Sequence, residues 1–351
     1  MQEAPLFSVQ VSHRLADFTP QEWDALSAGR PFQGYRWYRY GEQVMSDCQP
    51  TYIVLRLGGE PAARATLWRV KNEPLPLPPG KIRDFVQALF RRWPLLICRS
   101  PLSNSSGLVL PEPPLRAPAL SVLANLAREQ LRQQGGSFLL FDYLTEAESG
   151  LAGWPGDFLS FDISDPGTIL YNRWESFDEY LASGNKKDRQ HYKRALREAR
   201  QLGIEITQML TVENLHDALE LIRQVEARHG SPPNPWARAM LEHLAMVNGI
   251  FLQAKIADRL VGCGLLLEDE QTQLTAALGL AKDVPFVYFQ LLYASLQLAL
   301  EHRVKALRWG SGAYQVKQQL GFDLERNHFV RVYGRLPLFN LFLKLVKKYA
   351  N

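Results

Sequence analysis

The sequence predicts an α/β protein made of two tandem domains, each a mixed β-sheet flanked by helices. Three observations carry this prediction. The chain has 351 residues, beyond the size at which one hydrophobic core keeps growing, so two cores of about 150–200 residues each are expected. Short apolar strands alternate with helical stretches along nearly the whole length, the pattern of sheets covered by helices. Helices leading into a hairpin and then into strand and helix pairs occur twice, with Leu57-Gly58-Gly59-Glu60 and Ile256-Ala257-Asp258-Arg259 at the two turns, 199 positions apart. The domains are read as residues 1–160 and 161–335, followed by an amphipathic helix over 336–351.

In the first domain, Thr19-Pro20-Gln21-Glu22 places a cap, a first-turn proline and a reaching glutamate in helix-starting order, with Trp23 and Leu26 inward. The stretch YIVLRLGGEPAARATLWRV reads as a hairpin turning at Gly58-Gly59. Helix IRDFVQALFRRW, strand PLLICRS, helix ALSVLANLAREQLRQQ and strand SFLLFDYL follow, with a proline-rich loop over 101–118. The second domain opens on the capping box Ser176-Phe177-Asp178-Glu179, and its helix is expected to run to about Gly203. Strand IEITQML, helices over 213–229 and 235–247, and a hairpin turning at Asp258-Arg259 come next. Strand QLTAALGLA, the apolar helix FVYFQLLYASLQLALEH, strand ALRW, a Gly-Ser-Gly turn, helix AYQVKQQLG and strand HFVRVYG complete it.

Composition narrows the class. An apolar fraction of 46% and a charged fraction of 22% are those of an ordinary globular chain, and a net charge of +4 is mild. Cys48, Cys98 and Cys263 are far apart and lack metal-type spacing, so neither a disulfide scaffold nor a metal site is expected. The N-terminus has no secretory pattern, and no segment reaches the roughly 20 apolar residues a bilayer crossing needs. Leu336–Tyr349 is too short and carries Lys344, Lys347 and Lys348. Cytoplasmic residence is expected. No HExxH, GxSxG, Walker loop or Rossmann fingerprint occurs, which removes the corresponding hydrolases, NTPases and dehydrogenases.

Four features bear on chemistry. In Asn185–Arg200, Lys186, Lys193, Arg197 and Arg200 share a helix face, with Arg189 nearby and Tyr192, Leu196 and Ala199 forming an apolar strip. The face is either a solvated surface or a stripe for phosphates of a nucleotide-linked donor, a transfer RNA or an anionic lipid. In Arg308–Phe322 a strand passes through Gly310-Ser311-Gly312 into a helix, a plain tight turn or a place where free amides meet an oxyanion. Tyr314 and Lys317, three apart, are expected to set a hydroxyl and an ammonium beside it. The apolar helix after Pro285 carries Tyr288 and Tyr293, either core tyrosines or the lining of an acceptor pocket. Glu226 and His229 form a conceivable acid/base pair, or His229 simply complements a helix C-terminus.

Three segments together, FQGYRWYRY (32–40), ESFDEYLASGNKKDRQHYKRALREA and WGSGAYQVKQQLGF, resemble in content and order the FemAB-like branch of the GNAT superfamily. The resemblance spans most of residues 20–335. It implies two tandem GNAT-like domains and transfer of an acyl or aminoacyl group from an activated carrier, acyl-CoA or aminoacyl-tRNA, to an amine acceptor such as a cell-envelope precursor. No tightly bound cofactor is implied. By position, Tyr288, Gly312, Tyr314 and Lys317 fall in the family's second-half cleft, and Lys186, Arg189 and Lys193 on its basic helix. Gly279-Leu280-Ala281-Lys282-Asp283-Val284-Pro285 replaces the pyrophosphate loop of acetyl-CoA enzymes. Polarisation of the reacting carbonyl is expected from amides near Gly279 and in the turn from Gly310 to Gly312, with Tyr314, Lys317 or water moving charge and proton.

A different class stays open, a non-catalytic scaffold holding RNA or an anionic membrane through its basic helix. In the last helix Leu338, Leu341, Phe342, Leu345 and Tyr349 form one apolar face, expected to close the second core or else to touch a membrane near a lipid-linked acceptor.

Overall fold

The computed structural model describes residues 6–27, 29–74, 79–163 and 165–350. The chain forms two compact units: Met1–Leu75, Gly80–Asp165 and Arg326–Asn351 make the first, Pro76–Pro79 and Pro166–Glu325 the second. The first begins with β1 (Ser8–Ser12), α1 (Pro20–Ser27), α2 (Tyr35–Val44), β2 (Gln49–Leu57), β3 (Glu60–Val70) and α3 (Lys81–Arg92). It continues through β4 (Leu95–Ser100), β5 (Ser105–Ser106), β6 (Leu108–Val109), α4 (Arg116–Gln133), β7 (Phe138–Leu144), α5 (Glu146–Ser149) and β8 (Leu159–Asp162). The second unit holds β9 (Thr168–Tyr171), α6 (Phe177–Ser183), α7 (Lys186–Gln201), β10 (Ile204–Met209), α8 (Leu215–Arg228), α9 (Ala237–Glu242) and β11 (Ile250–Ile256). After these come β12 (Arg259–Asp269), β13 (Thr272–Leu280), α10 (Val287–Glu301), β14 (Ala306–Arg308), α11 (Tyr314–Gln319) and β15 (Asp323–Leu324). The chain returns to the first unit with β16 (Phe329–Gly334) and α12 (Pro337–Ala350).

Both sheets are mixed, as expected. The first runs β1-β2-β3-β4-β7-β16-β8, with β4 and β7 parallel; the second runs β10-β11-β12-β13-β14-β9-β15, with β13 and β14 parallel. The duplication is visible in register. Leu57 faces Glu60 in one hairpin and Ile256 faces Arg259 in the other. The first bulges between the pairs Leu55–Ala63 and Arg56–Pro61, the second between Ala254–Gly262 and Lys255–Leu260, each position 199 residues from its counterpart. A bulge is a built feature of a strand pair, so the match is structural where residue identity is absent.

Two expectations need correction, and the burial of a third segment is new. The boundaries at 160 and 335 differ from the observed division, because β16 pairs with β7 and β8 in the first sheet. Alternation of apolar residues marks a strand without saying which sheet receives it. The stretch 101–118 is not one loop: β5 pairs with β4 and β6 with β3. The opening aromatic segment is core, with Phe32, Trp37, Tyr38 and Tyr40 fully buried.

In the second unit α8 and α10 cover opposite faces of the sheet. Gly262 has no room for a side chain because Val287 Cγ1 of α10 would lie 2.2 Å from its Cβ. Gly279, paired with the neighbouring position Cys263, is closed off by Leu221 and by the backbone nitrogen of Ile222 in α8, 2.8 and 2.9 Å from a built Cβ. Adjacent strand positions point to opposite faces, so two glycines set the closeness of two helices. Gly279→Ala is expected to force α8 off the sheet at a cost of about 1–3 kcal/mol. The thermal midpoint should fall by roughly 3–10 °C; an unchanged midpoint would show that the contact is not tight.

Candidate active site

The parallel pair of the second unit separates partway along. β13 and β14 pair over Thr272–Ala306, Gln273–Leu307 and Leu274–Arg308. β14 then ends, and the Trp309 amide bonds instead to Thr168 O at 2.9 Å. β13 continues to Leu280, and its residues change from buried at 272–274 to half-buried at 275–278. A bulge at Ala276, between the pairs Leu265–Ala277 and Leu266–Thr275, falls in this segment. The edge that β14 abandons therefore offers backbone donors and acceptors to a ligand.

The Tyr288 ring of α10 meets Trp309, the residue that follows β14, edge-on at 5.9 Å. The Tyr288 hydroxyl and Thr275 Oγ1 are buried and have no hydrogen-bond partner among the described residues. Such groups are costly unless something fills their bonds. Burial pushes the Tyr288 phenol up to about 12, so at neutral pH it is a proton-bearing donor. Trp309 is fixed by its indole N–H, which donates to Ser295 Oγ at 3.1 Å.

The turn after β14 is clamped from within. Gly310, Gly312 and Ala313 have φ of 29°, 82° and 46°. A Cβ at Gly310 or Gly312 would meet nothing within 4 Å, so backbone conformation and not space calls for glycine there. Lys317 is 4% exposed, and its Nζ donates to the carbonyls of Trp309, of Gly310 (3.1 Å) and of Ser311 (3.4 Å). Thr168 Oγ1 donates to Trp309 O and Gly310 O, and the Tyr314 hydroxyl to Pro166 O at 2.8 Å. Arg308 grips Glu325 with two bonds of 3.0 and 2.6 Å, both side chains almost fully buried. Tyr314 and Lys317 are thus turned inward onto backbone carbonyls, where the sequence suggested free groups beside the turn. Burial draws the Lys317 ammonium down to about 8, with the Glu325 carboxylate pulling the other way.

On α7 the Asn185 side chain accepts from the amides of Lys187 and Asp188, and the Asn185 backbone amide donates to the Asp188 carboxylate. Ala195 and Ala199 are buried, while Lys186, Lys193, Arg197 and Arg200 are exposed. Lys193, Leu196, Arg197 and Arg200 line an open groove of about 360 Å³. Arg189 lies on the other flank, where it donates to Ala182 O and Gly184 O and lines a cavity of about 130 Å³ with Trp174, Tyr180, Asp188 and Tyr293. Tyr192 packs edge-on against Tyr293 at 4.9 Å, and the Tyr293 hydroxyl meets His191 Nδ1 at 3.1 Å.

The predicted residues therefore divide. Tyr288 packs on Trp309, after β14 ends; Gly310 and Gly312 lie in the turn that follows, with Tyr314 and Lys317 in the helix after it; Gly279 is packed under α8; Tyr192 and Tyr293 meet between α7 and α10, and Arg189 holds the end of α6; Lys186 and Lys193 face outward. Gln319–Gly321, at the end of α11, line the same cavity as Arg189. Glu226 is taken by Arg223 at 2.6 Å and by the Asn234 amide at 2.9 Å, and no bond to His229 is made among the described residues. Thr275, Trp309 and the Arg308–Glu325 pair went unread, because their roles depend on where two strands part.

Lys317 also yields a pH prediction. Between about 8 and its ordinary value of 10.5 the unfolded chain holds a proton that the folded chain releases, so stability gains from this lysine as pH rises through that window. The stability of the wild type relative to Lys317→Met should rise from pH 7 to pH 10 in urea titrations. Parallel pH curves for the two proteins would contradict it.

A family model described as FemAB-like, peptidoglycan biosynthesis/recognition, matches residues 14–335. A search of curated protein sequences finds no match. Among solved structures the chain is similar to FemX, with a TM-score of 0.61 and 14% identity over 95% of this chain and 99% of FemX. It is also similar to a tandem GNAT protein from the clavulanic acid biosynthesis pathway, with a TM-score of 0.56 and 16% identity over 94% of this chain and 99% of that one. A conserved protein of unknown function from Bacteroides thetaiotaomicron gives 0.55 and 10% over 93% and 99%. At these identities the likeness is one of fold, two GNAT-type units in tandem. With a model match over nearly its whole length, the chain belongs to the FemAB-like family of peptidoglycan biosynthesis/recognition.

Proposed function

We propose that the protein is a transferase that moves an acyl or aminoacyl group from an activated carrier to an amine of a cell-envelope precursor, and that the reacting carbonyl lies against the β13 edge at 275–278. The observation that carries this reading is the unpaired, buried Tyr288 hydroxyl on a ring packed against Trp309, where β14 has ended, together with the unpaired Thr275 hydroxyl on β13 itself. In the reaction the amine nitrogen bonds to the carbonyl carbon and the bond to the carrier oxygen or sulfur breaks. The amine gives up one proton to water or to a group at the opening, and the carrier leaves after taking one. The negative charge that develops on the carbonyl oxygen is met by donors already in place, the largest contribution such a site makes. Tyr288 supplies one donor and the strand edge another, while Lys317 and Tyr314 act as positioning residues that hold the turn.

Between the two carriers, aminoacyl-tRNA is favoured over acyl-CoA. In the segment before α10 the exposed Asp283 carboxylate holds Arg259 at 2.9 Å, which occupies that cation and takes it from a diphosphate. The α7 groove, with Lys193, Arg197 and Arg200, suits a polyanion. The same groove supports a second reading, a scaffold that holds RNA without catalysis; salt-sensitive RNA binding with no transfer to any amine would favour it.

Tyr288→Phe is expected to lower kcat about 10- to 1000-fold with KM nearly unchanged, the cost of one lost donor to the oxyanion. Single-turnover transfer from bulk aminoacyl-tRNA and from acetyl-CoA to a peptidoglycan-precursor peptide measures it. Full activity in this variant would remove the proposed site.

A further inference from the structure

A second surface, on the first unit, stands independently of the transferase reading. Phe90 of α3 and Phe339 of α12 both pack on the ring of Phe138 at the start of β7, with centroids 6.3 and 5.0 Å away. α12 is held close to its strand, since Gly334 has no room for a Cβ beside Phe339 and its amide donates to Asn340 Oδ1 at 3.0 Å.

Neither helix uses its whole apolar stripe on the unit. α3 buries no residue completely. Val86, Leu89 and Phe90 are half-buried, whereas Ile82 and Phe85 on the same stripe are 76% and 64% exposed. In α12 the inward side is Phe339 and Leu343, and Leu338 and Leu341 are 70% and 54% exposed. The face expected to close a core thus points away from it at Leu338 and Leu341. The side chains of Phe342, Leu345 and Tyr349 lie outside the described residues.

Cations border these apolar side chains. At 100° per residue Lys81 lies one turn and Arg92 two turns from Phe85 on the same helix face, and Lys344 lies one turn from Leu341; all three are exposed. α3 carries Lys81, Arg83, Arg91 and Arg92 against the single acid Asp84, and α12 carries Lys344, Lys347 and Lys348 with no acid. Apolar side chains rimmed by cations are the pattern of a helix lying in a membrane interface. Two copies of so cationic a face would repel each other.

We propose that α3 and α12 seat the protein on an anionic phospholipid surface. Ile82, Phe85, Leu338 and Leu341 enter the boundary between headgroups and acyl chains, and Lys81, Arg92 and Lys344 meet lipid phosphates. The test is co-sedimentation of the full chain with vesicles of phosphatidylcholine and with vesicles that also contain phosphatidylglycerol. Binding should require phosphatidylglycerol and weaken with salt. The double variants Ile82→Glu/Phe85→Glu and Leu338→Glu/Leu341→Glu should each weaken binding about tenfold or more, and Lys81→Glu/Arg92→Glu by a similar factor, with thermal midpoints held near the wild type. Equal binding to both vesicle types, variants that bind like the wild type, or a dimer that Ile82→Glu/Phe85→Glu breaks while no vesicle is bound would each overturn the proposal.

Discussion

One buried ammonium organises the second unit. Lys317 sits under the turn that follows β14 and ties three successive carbonyls, those of Trp309, Gly310 and Ser311. Carbonyls that converge on one point repel one another, and the N–H donors of Lys317, charged at neutral pH, offset that repulsion. With that cation in place, the chain can leave β14 sharply after Arg308, and β13 loses its neighbour from Thr275 onward. The Arg308–Glu325 pair secures the end of the strand, and removing one partner would leave the other charge buried. The opening at 275–278 is thus a consequence of how the turn is held.

The first unit contains the same parallel pair without the same opening. β4 and β7 pair over Leu96–Leu139, Ile97–Leu140 and Cys98–Phe141. Beyond that point β5 pairs with Arg99 and Ser100, and Gly107 lies so close that a Cβ would meet the Arg99 backbone at 2.7 Å. Arg99 is also bound up with Glu73 at 2.6 Å and Asp142 at 3.8 Å. Duplication supplied two split pairs, and the chain filled one with its own residues. The second copy alone combines a half-exposed strand edge with the unpaired hydroxyls of Thr275 and Tyr288 among the described residues.

Much of this was legible in the sequence, for identifiable reasons. Hairpins and caps are written in adjacent residues, so Gly58-Gly59 and the cap at Ser176 could be read directly, whereas the second hairpin turns at Ala257-Asp258, one residue before the expected Asp258-Arg259. The basic face of α7 follows from helical spacing alone. The assignment of β16 to the first sheet was not legible, because strand pairing over such a distance leaves no local mark. The inward direction of Lys317 and Tyr314 was equally hidden: a position three residues along a helix fixes a face but not which neighbour that face meets. Polarisation was expected from amides near Gly279, and the close approach of α8, which calls for a glycine at that position, left no mark in the sequence.

The most direct measurement of the central claim is amide hydrogen exchange across residues 275–278 in the full chain, alone and with bulk aminoacyl-tRNA or acetyl-CoA. If the reacting carbonyl lies on this edge, at least one donor will slow exchange there while the paired segment at 272–274 changes little. Donor turnover with no protection at 275–278 would place the chemistry elsewhere and contradict the account.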